Sequence, residues 1–122
     1  MTNELMIQLS EIATARSGDK GNHANIGVVA FTKTGFEYLR EHLTEEKVTI
    51  FSKSLGPSRV ERFELPKVWA LNFVLYNALS GGAGRSLQID TQGKLLGTAI
   101  LEMELPKPSN LEDMTHHAGT NP

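Results

Sequence analysis

The chain contains no cysteine. That excludes a disulfide framework, a thiolate nucleophile and any Cys-based zinc or iron–sulfur site, and it suits a reducing compartment. Charge of one sign does not dominate either: 12 Lys and Arg against 14 Asp and Glu leave a net charge of -2. Such a balance offers no electrostatic case for nucleic acid or an anionic membrane as a partner. No apolar run approaches the roughly 20 residues of a membrane span. The longest, Val68–Leu79, is interrupted by Asn72 and Asn77. The opening Met-Thr-Asn-Glu-Leu-Met lacks a basic segment followed by an apolar one, so no secretory signal is expected and a cytoplasmic location is. There is no internal repeat and no low-complexity tract. His116-His117 lies in a polar tail, and no His and carboxylate group has metal-ligand spacing, so neither a metal nor another cofactor is expected.

What is present is the composition of an ordinary globular domain. A chain of 122 residues fits one domain and buries about two-thirds of its unfolded surface. Leu5, Ile7 and Leu9 alternate with Met6, Gln8 and Ser10, the period of a half-buried strand. Asn25–Phe31, apolar on both faces, predicts a central strand. Phe36, Leu39 and Leu43 make the apolar stripe of a helix entered at Thr34-Gly35. Thr44 followed by Glu45 and Glu46 predicts a second helix with Val48, Phe51 and Leu55 on one face. A strand through Val48–Phe51 is the alternative.

Gly56-Pro57 ends that element, and Arg59–Leu65 alternates as a strand with one face buried, closed by Pro66. Val68–Leu79 is apolar nearly all round and predicts a buried helix carrying Asn72. Gly81-Gly82-Ala83-Gly84 reads as its C-cap and loop, Leu87 and Ile89 as a short strand, and Lys94–Leu105 as the last strand of a terminal hairpin. The order predicts an α+β sandwich, with helices packed on one face of a mostly antiparallel sheet. Residues 1–105 form the single domain in this reading, and 106–122, rich in Pro, Ser, Asn and Gly, a mobile tail.

The chemistry-bearing stretch is Arg16-Ser17-Gly18-Asp19-Lys20-Gly21-Asn22-His23-Ala24-Asn25. Glycines three apart let a turn direct its N–H groups outward, and Arg16 and Lys20 supply charge for an anionic small molecule. Arg16, Ser17, Gly18, Asp19, Lys20, Gly21, Asn22 and Asn25 are therefore the candidate ligand-binding residues. The same composition also makes a plain solvated turn. Asn72, an amide among apolar neighbours, must find hydrogen-bond partners and is the candidate support for that loop. The run Gly81 to Ser86 lacks the Lys-Ser/Thr of a phosphate loop. Ser17 and His23 are framed by no nucleophile-elbow motif.

An ordered series of segments resembles a known family. Ser17-Gly18-Asp19-Lys20-Gly21-Asn22 followed by Ala24-Asn25-Ile26-Gly27 matches its opening motif. Arg62-Phe63-Glu64-Leu65-Pro66, Leu71-Asn72-Phe73-Val74-Leu75, Leu79-Ser80-Gly81-Gly82 and Ser86-Leu87-Gln88-Ile89-Asp90-Thr91-Gln92-Gly93-Lys94 continue it. Together, from about Ser10 to Leu105, they resemble the small C-terminal domain of AtuA-type acyclic terpene utilisation proteins, which also occurs as a stand-alone chain. The resemblance implies a ferredoxin-like fold and a setting among bacterial enzymes of terpenoid and branched acyl-CoA breakdown. It assigns no catalytic residue to this domain, and it implies a larger partner chain.

Two functions follow as expectations. The first is an accessory or binding module that homo-oligomerises, at least as a dimer, or docks on a larger enzyme, with the glycine loop at the junction; a sheet with one uncovered face needs cover. The second is a small enzyme for an acidic or CoA-linked metabolite, with Arg16 and Lys20 holding the anion and Asp19 as base. That rival requires Asp19 and Lys20 to point into one cleft.

Overall fold

The structure, a computed structural model, describes residues 5–78 and 96–116. Along the chain run β1 (Met6–Gln8), β2 (Ala13–Lys20), β3 (His23–Ala30), α1 (Lys33–His42), α2 (Glu45–Phe51), β4 (Arg59–Leu65), β5 (Ala70–Tyr76) and β6 (Glu104–Pro106). Residues 96–100 are helical. The body is a four-stranded antiparallel sheet in the order β2-β3-β5-β4, and β1 pairs with β6 in a separate antiparallel ribbon. This is the predicted α+β class, with β3 central in its sheet.

Alternation decides which face of the sheet is wet. Ala24, Ile26 and Val28 of β3 stand opposite Leu75, Phe73 and Leu71 of β5, and all six side chains are completely buried. They join Phe36, Leu39 and Leu43 of the α1 stripe and Val48 of α2 in one core. Both helices are capped by threonine, as their local chemistry requires. Thr32 Oγ1 accepts from Gly35 N (3.0 Å), so α1 starts just ahead of the predicted Thr34-Gly35 entry. Thr44 Oγ1 accepts from Lys47 N (3.2 Å), with Glu45 and Glu46 in the first turn. Arg62 locks these helices to β4. Its Nη1 donates to the carbonyls of Arg40 (2.9 Å) and Leu43 (3.0 Å) at the end of α1, and its backbone N–H donates to Glu45 Oε2 (2.8 Å).

Two predicted elements change type. The helix expected over Val68–Leu79 is instead the strand β5, preceded by a 3-10 turn at Pro66–Val68. Its sequence is apolar all round because β5 lies inside the sheet between β3 and β4. Leu71, Phe73 and Leu75 face the core, but the apolar Val74 and Tyr76 on the other face blur the alternation that would separate a strand from a buried helix. The strand expected over Lys94–Leu105 is instead helical at 96–100, turns at Leu101 and Glu102, and is extended only at β6. Leu96 and Ile100, four apart, are buried together, and period two also fits their neighbours. Tertiary contact selects the helix: Gly97 N donates to Ser17 Oγ (2.9 Å), seating the segment on β2. The Gly81–Gly84 loop and the Leu87 and Ile89 strand lie outside the described residues.

Pro106 to His116, read from composition as a loose arm, lies against the body. Lys107 N donates to Leu5 O (2.9 Å), and Thr32 Oγ1 donates to Asp113 O (2.9 Å). The Tyr38 hydroxyl donates to the Pro106 carbonyl, and Met114 is 3% exposed within the core.

Candidate functional site

The stretch Arg16 to Asn25 is a hairpin and not an open loop. β2 and β3 pair in unbroken register from Ala13↔Ala30 to Lys20↔His23, leaving Gly21-Asn22 as a two-residue turn. Gly21 has φ 63, the left-handed value that a glycine supplies at the first position of such a hairpin turn. Extended backbone then sorts the candidate residues by parity. Arg16, Gly18 and Lys20 face the side of the sheet away from the helices. Ser17 and Asp19 stand opposite the buried Ile26 and Ala24 and so face the helix side. Asp19 and Lys20 therefore point apart, and the acid–base pair that the enzyme alternative requires does not form. Ser17 is occupied in accepting the Gly97 N–H, and His23 is on the other face, so these two do not meet either.

On the open face the register defines rows across the strands. One reads Arg16, Gly27, Asn72, Phe63, and the next Gly18, Asn25, Val74, Glu61. At the centre, Asn25 Nδ2 donates to Asn72 Oδ1 (3.4 Å). Both amides lie across glycines. A Cβ on Gly18 would come within 3.3 Å of Asn25 Oδ1, and one on Gly27 within 3.8 Å of Asn72 Oδ1. Asn72 thus supports Asn25, though from a strand and by a direct amide–amide bond. The glycines serve to make a floor for the amides, which spacing alone does not reveal.

The two ends of this face differ in character. Around the hairpin tip, Arg59 stacks over the Tyr76 ring (4.3 Å to its centroid), and the Tyr76 hydroxyl donates to Glu61 Oε1 (2.8 Å). Arg59 Nη2 also reaches Glu61 Oε1 (3.4 Å). His23 sits edge-on to Tyr76 and its Nδ1 accepts from Asn77 N (3.0 Å). Sequence reading misses this network; its only signal is the alternation that puts Arg59 and Glu61 on one face of β4.

At the opposite end the face is apolar and open. Phe63 is 42% exposed, Leu65 47% and Val68 59%, with Val29 and Trp69 also exposed. Val29 and Leu65 flank Ala70 in one row. Trp69, next along the chain, has φ 57, a conformation costly for a bulky residue. Its carbonyl accepts from Ala30 N (2.9 Å), which holds that backbone in place. Surface apolar residues scattered singly require no explanation; here Val29, Phe63 and Leu65 share one end of the face, with Val68 and Trp69 in the adjoining turn.

Among the described residues no group of three or more His, Asp or Glu side chains is placed to hold a metal, and no helix is long and apolar enough to cross a membrane. A model of the AtuA ferredoxin-like domain family matches residues 7–106. No curated protein and no solved structure matches the chain.

Proposed function

The chain belongs to the AtuA ferredoxin-like domain family, and from that premise we propose that it is an accessory module that works by docking through the open face of its sheet. The observation that carries this reading is the one-sided architecture. Helices and core cover one face, while Phe63, Leu65 and Val29 stand exposed at one end of the other, with Val68 and Trp69 exposed in the adjoining turn. The family implies a larger enzyme of acyclic terpenoid or branched acyl-CoA breakdown as the setting. Arg16 and Lys20, on the same face as the amide pair, are then rim charges that steer an association or hold an anionic group at its edge. The opposed directions of Asp19 and Lys20 count against the rival enzyme.

The double variant Phe63→Lys, Leu65→Lys tests this. Both residues are exposed on the edge strand β4. The variant should keep its circular dichroism and hold its thermal midpoint within about 2 °C, as surface substitutions do at this size. It should also lose association, with itself or with a larger partner. Loss of the fold would mean that the face is internal to the chain, and would overturn the reading.

A further inference from the structure

Resting on the reading that the open face docks, we infer that its occupant is a second copy of this chain, laid face to face about a two-fold axis along the strands between β3 and β5. A two-fold interface must be self-complementary: whatever one copy offers, the same surface must accept. The central amides meet that condition. Their mutual hydrogen bond uses Asn25 Nδ2 and Asn72 Oδ1. Among the described residues Asn72 Nδ2 and Asn25 Oδ1 take no part in that bond, which leaves a donor group on one amide and an acceptor group on the other. A purely apolar partner would bury both without partners; a second copy supplies one of each.

The register carries the argument further. An axis between the two central strands lays β3 of one copy over β5 of the other, and β2 over β4, while the rows stay aligned. Asn72 of one copy then lies over Gly27 of the other, a position with no side chain, in the row beside that copy's Asn25. The donor and the acceptor then face each other from neighbouring rows, about 6.6 Å apart along the strand, a span the two amide side chains bridge, and symmetry repeats the bond. In the apolar row Val29 of one copy lies over Ala70 of the other, large on small. Arg16, at the β2 end of its row, lies over Phe63 at the β4 end, with Glu61 in the next row. Lys20 comes near Arg59, whose charge Glu61 already balances at the wet rim.

The area fits as well. Four strands about 4.8 Å apart, seven residues long at about 3.3 Å each, project to about 440 Å². Side-chain relief and the adjoining Val68 and Trp69 raise this towards the roughly 800 Å² per partner that stable complexes bury.

Asn72→Asp is the selective probe. The carboxylate still accepts from Asn25 Nδ2 within the copy, so the local structure is kept, but the donor to the second copy is gone and an acceptor faces an acceptor. Val29→Lys attacks the same interface independently. Sedimentation velocity on the full chain from about 1 to 100 μM should give a dimer for the wild type. Each variant should weaken it at least tenfold, with unchanged circular dichroism. A wild type that stays monomeric at 100 μM overturns the second-copy occupant, and so does a dimer indifferent to both variants. Neither result touches the docking reading, which stands or falls on the Phe63 and Leu65 variants.

Discussion

Gly97→Ala is the substitution for which the structure sets the clearest energetic conflict. The residue is helical, and in a helix the change from Gly to Ala ordinarily stabilises by about 0.8–1.0 kcal/mol. Here the added methyl would lie 3.0 Å from Ser17 N and 3.1 Å from both Cα and C of Arg16. All three are backbone atoms of a paired strand, so no flexible side chain can yield. The helix must retreat by a few tenths of an ångström, at an overpacking cost of about 2 kcal/mol. That retreat stretches the 2.9 Å bond from Gly97 N to Ser17 Oγ, for about another 1 kcal/mol. Subtracting the propensity gain leaves a net loss of about 2 kcal/mol, or about 8 °C in thermal midpoint for a domain of this size. Differential scanning calorimetry of the variant beside the wild type reads this shift directly. A Gly97→Ala protein as stable as the wild type, or more so, refutes the seating of 96–100 on β2.

Other consequences follow from the same packing. Arg62→Ala removes the Nη1 donor to the Arg40 and Leu43 carbonyls and should cost about 2 kcal/mol in urea denaturation; Lys should restore only part of it, because a single ammonium cannot also hold Glu64 Oε2 as Arg62 Nη2 does (3.1 Å). Met114→Ala should cost about 2 kcal/mol through the cavity it leaves, whereas a loose C-terminal arm would show no change. Burial pushes the Tyr38 phenol up from 10.0 to about 12. The unfolded chain therefore releases this proton from about pH 10 while the folded one keeps it. The stability tied to the neutral phenol is whole below pH 10 and lost as pH rises through about 12. The urea midpoint should fall across that window, and Tyr38→Phe should reduce the fall.

Much of the helical layer is legible in the residues, because caps and stripes are local. Thr44 with Glu45 and Glu46 marks α2, and Phe36, Leu39 and Leu43 mark the buried side of α1, without reference to the rest of the chain. The exchange at Ala70–Tyr76 has the opposite origin. Leu71, Phe73 and Leu75 do alternate with Asn72, Val74 and Tyr76, but the apolar Val74 and Tyr76 blur the alternation on a strand flanked on both sides. At 96–100 the deciding fact is non-local: Gly97 is a glycine because β2 runs against it, and only the fold reveals that.

The functional stretch divides in the same way. Its residues are visible as a cluster, and the resemblance to the AtuA domain rests on them. Strand parity, which places Arg16, Gly18 and Lys20 with Asn25 and turns Ser17 and Asp19 away, cannot be read until the hairpin register is known. In a linear sequence Gly18 looks like a turn glycine, and Gly27 lies in the predicted central strand. Across paired strands they are the floor under two amides. The exposed Phe63, Leu65 and Val29 likewise become one surface only when β4, β5 and β3 lie side by side.

Trp69 is the only tryptophan in the chain and directly precedes Ala70 at the apolar end of the open face, so its fluorescence reports on that end. Acrylamide quenching across a dilution series tests the docking account most directly. The account predicts a readily quenched Trp69 in the dilute monomer and a protected, blue-shifted one once the chain associates. A Trp69 already protected in a chain shown to be monomeric would mean that the protein covers this face by itself, and would contradict it.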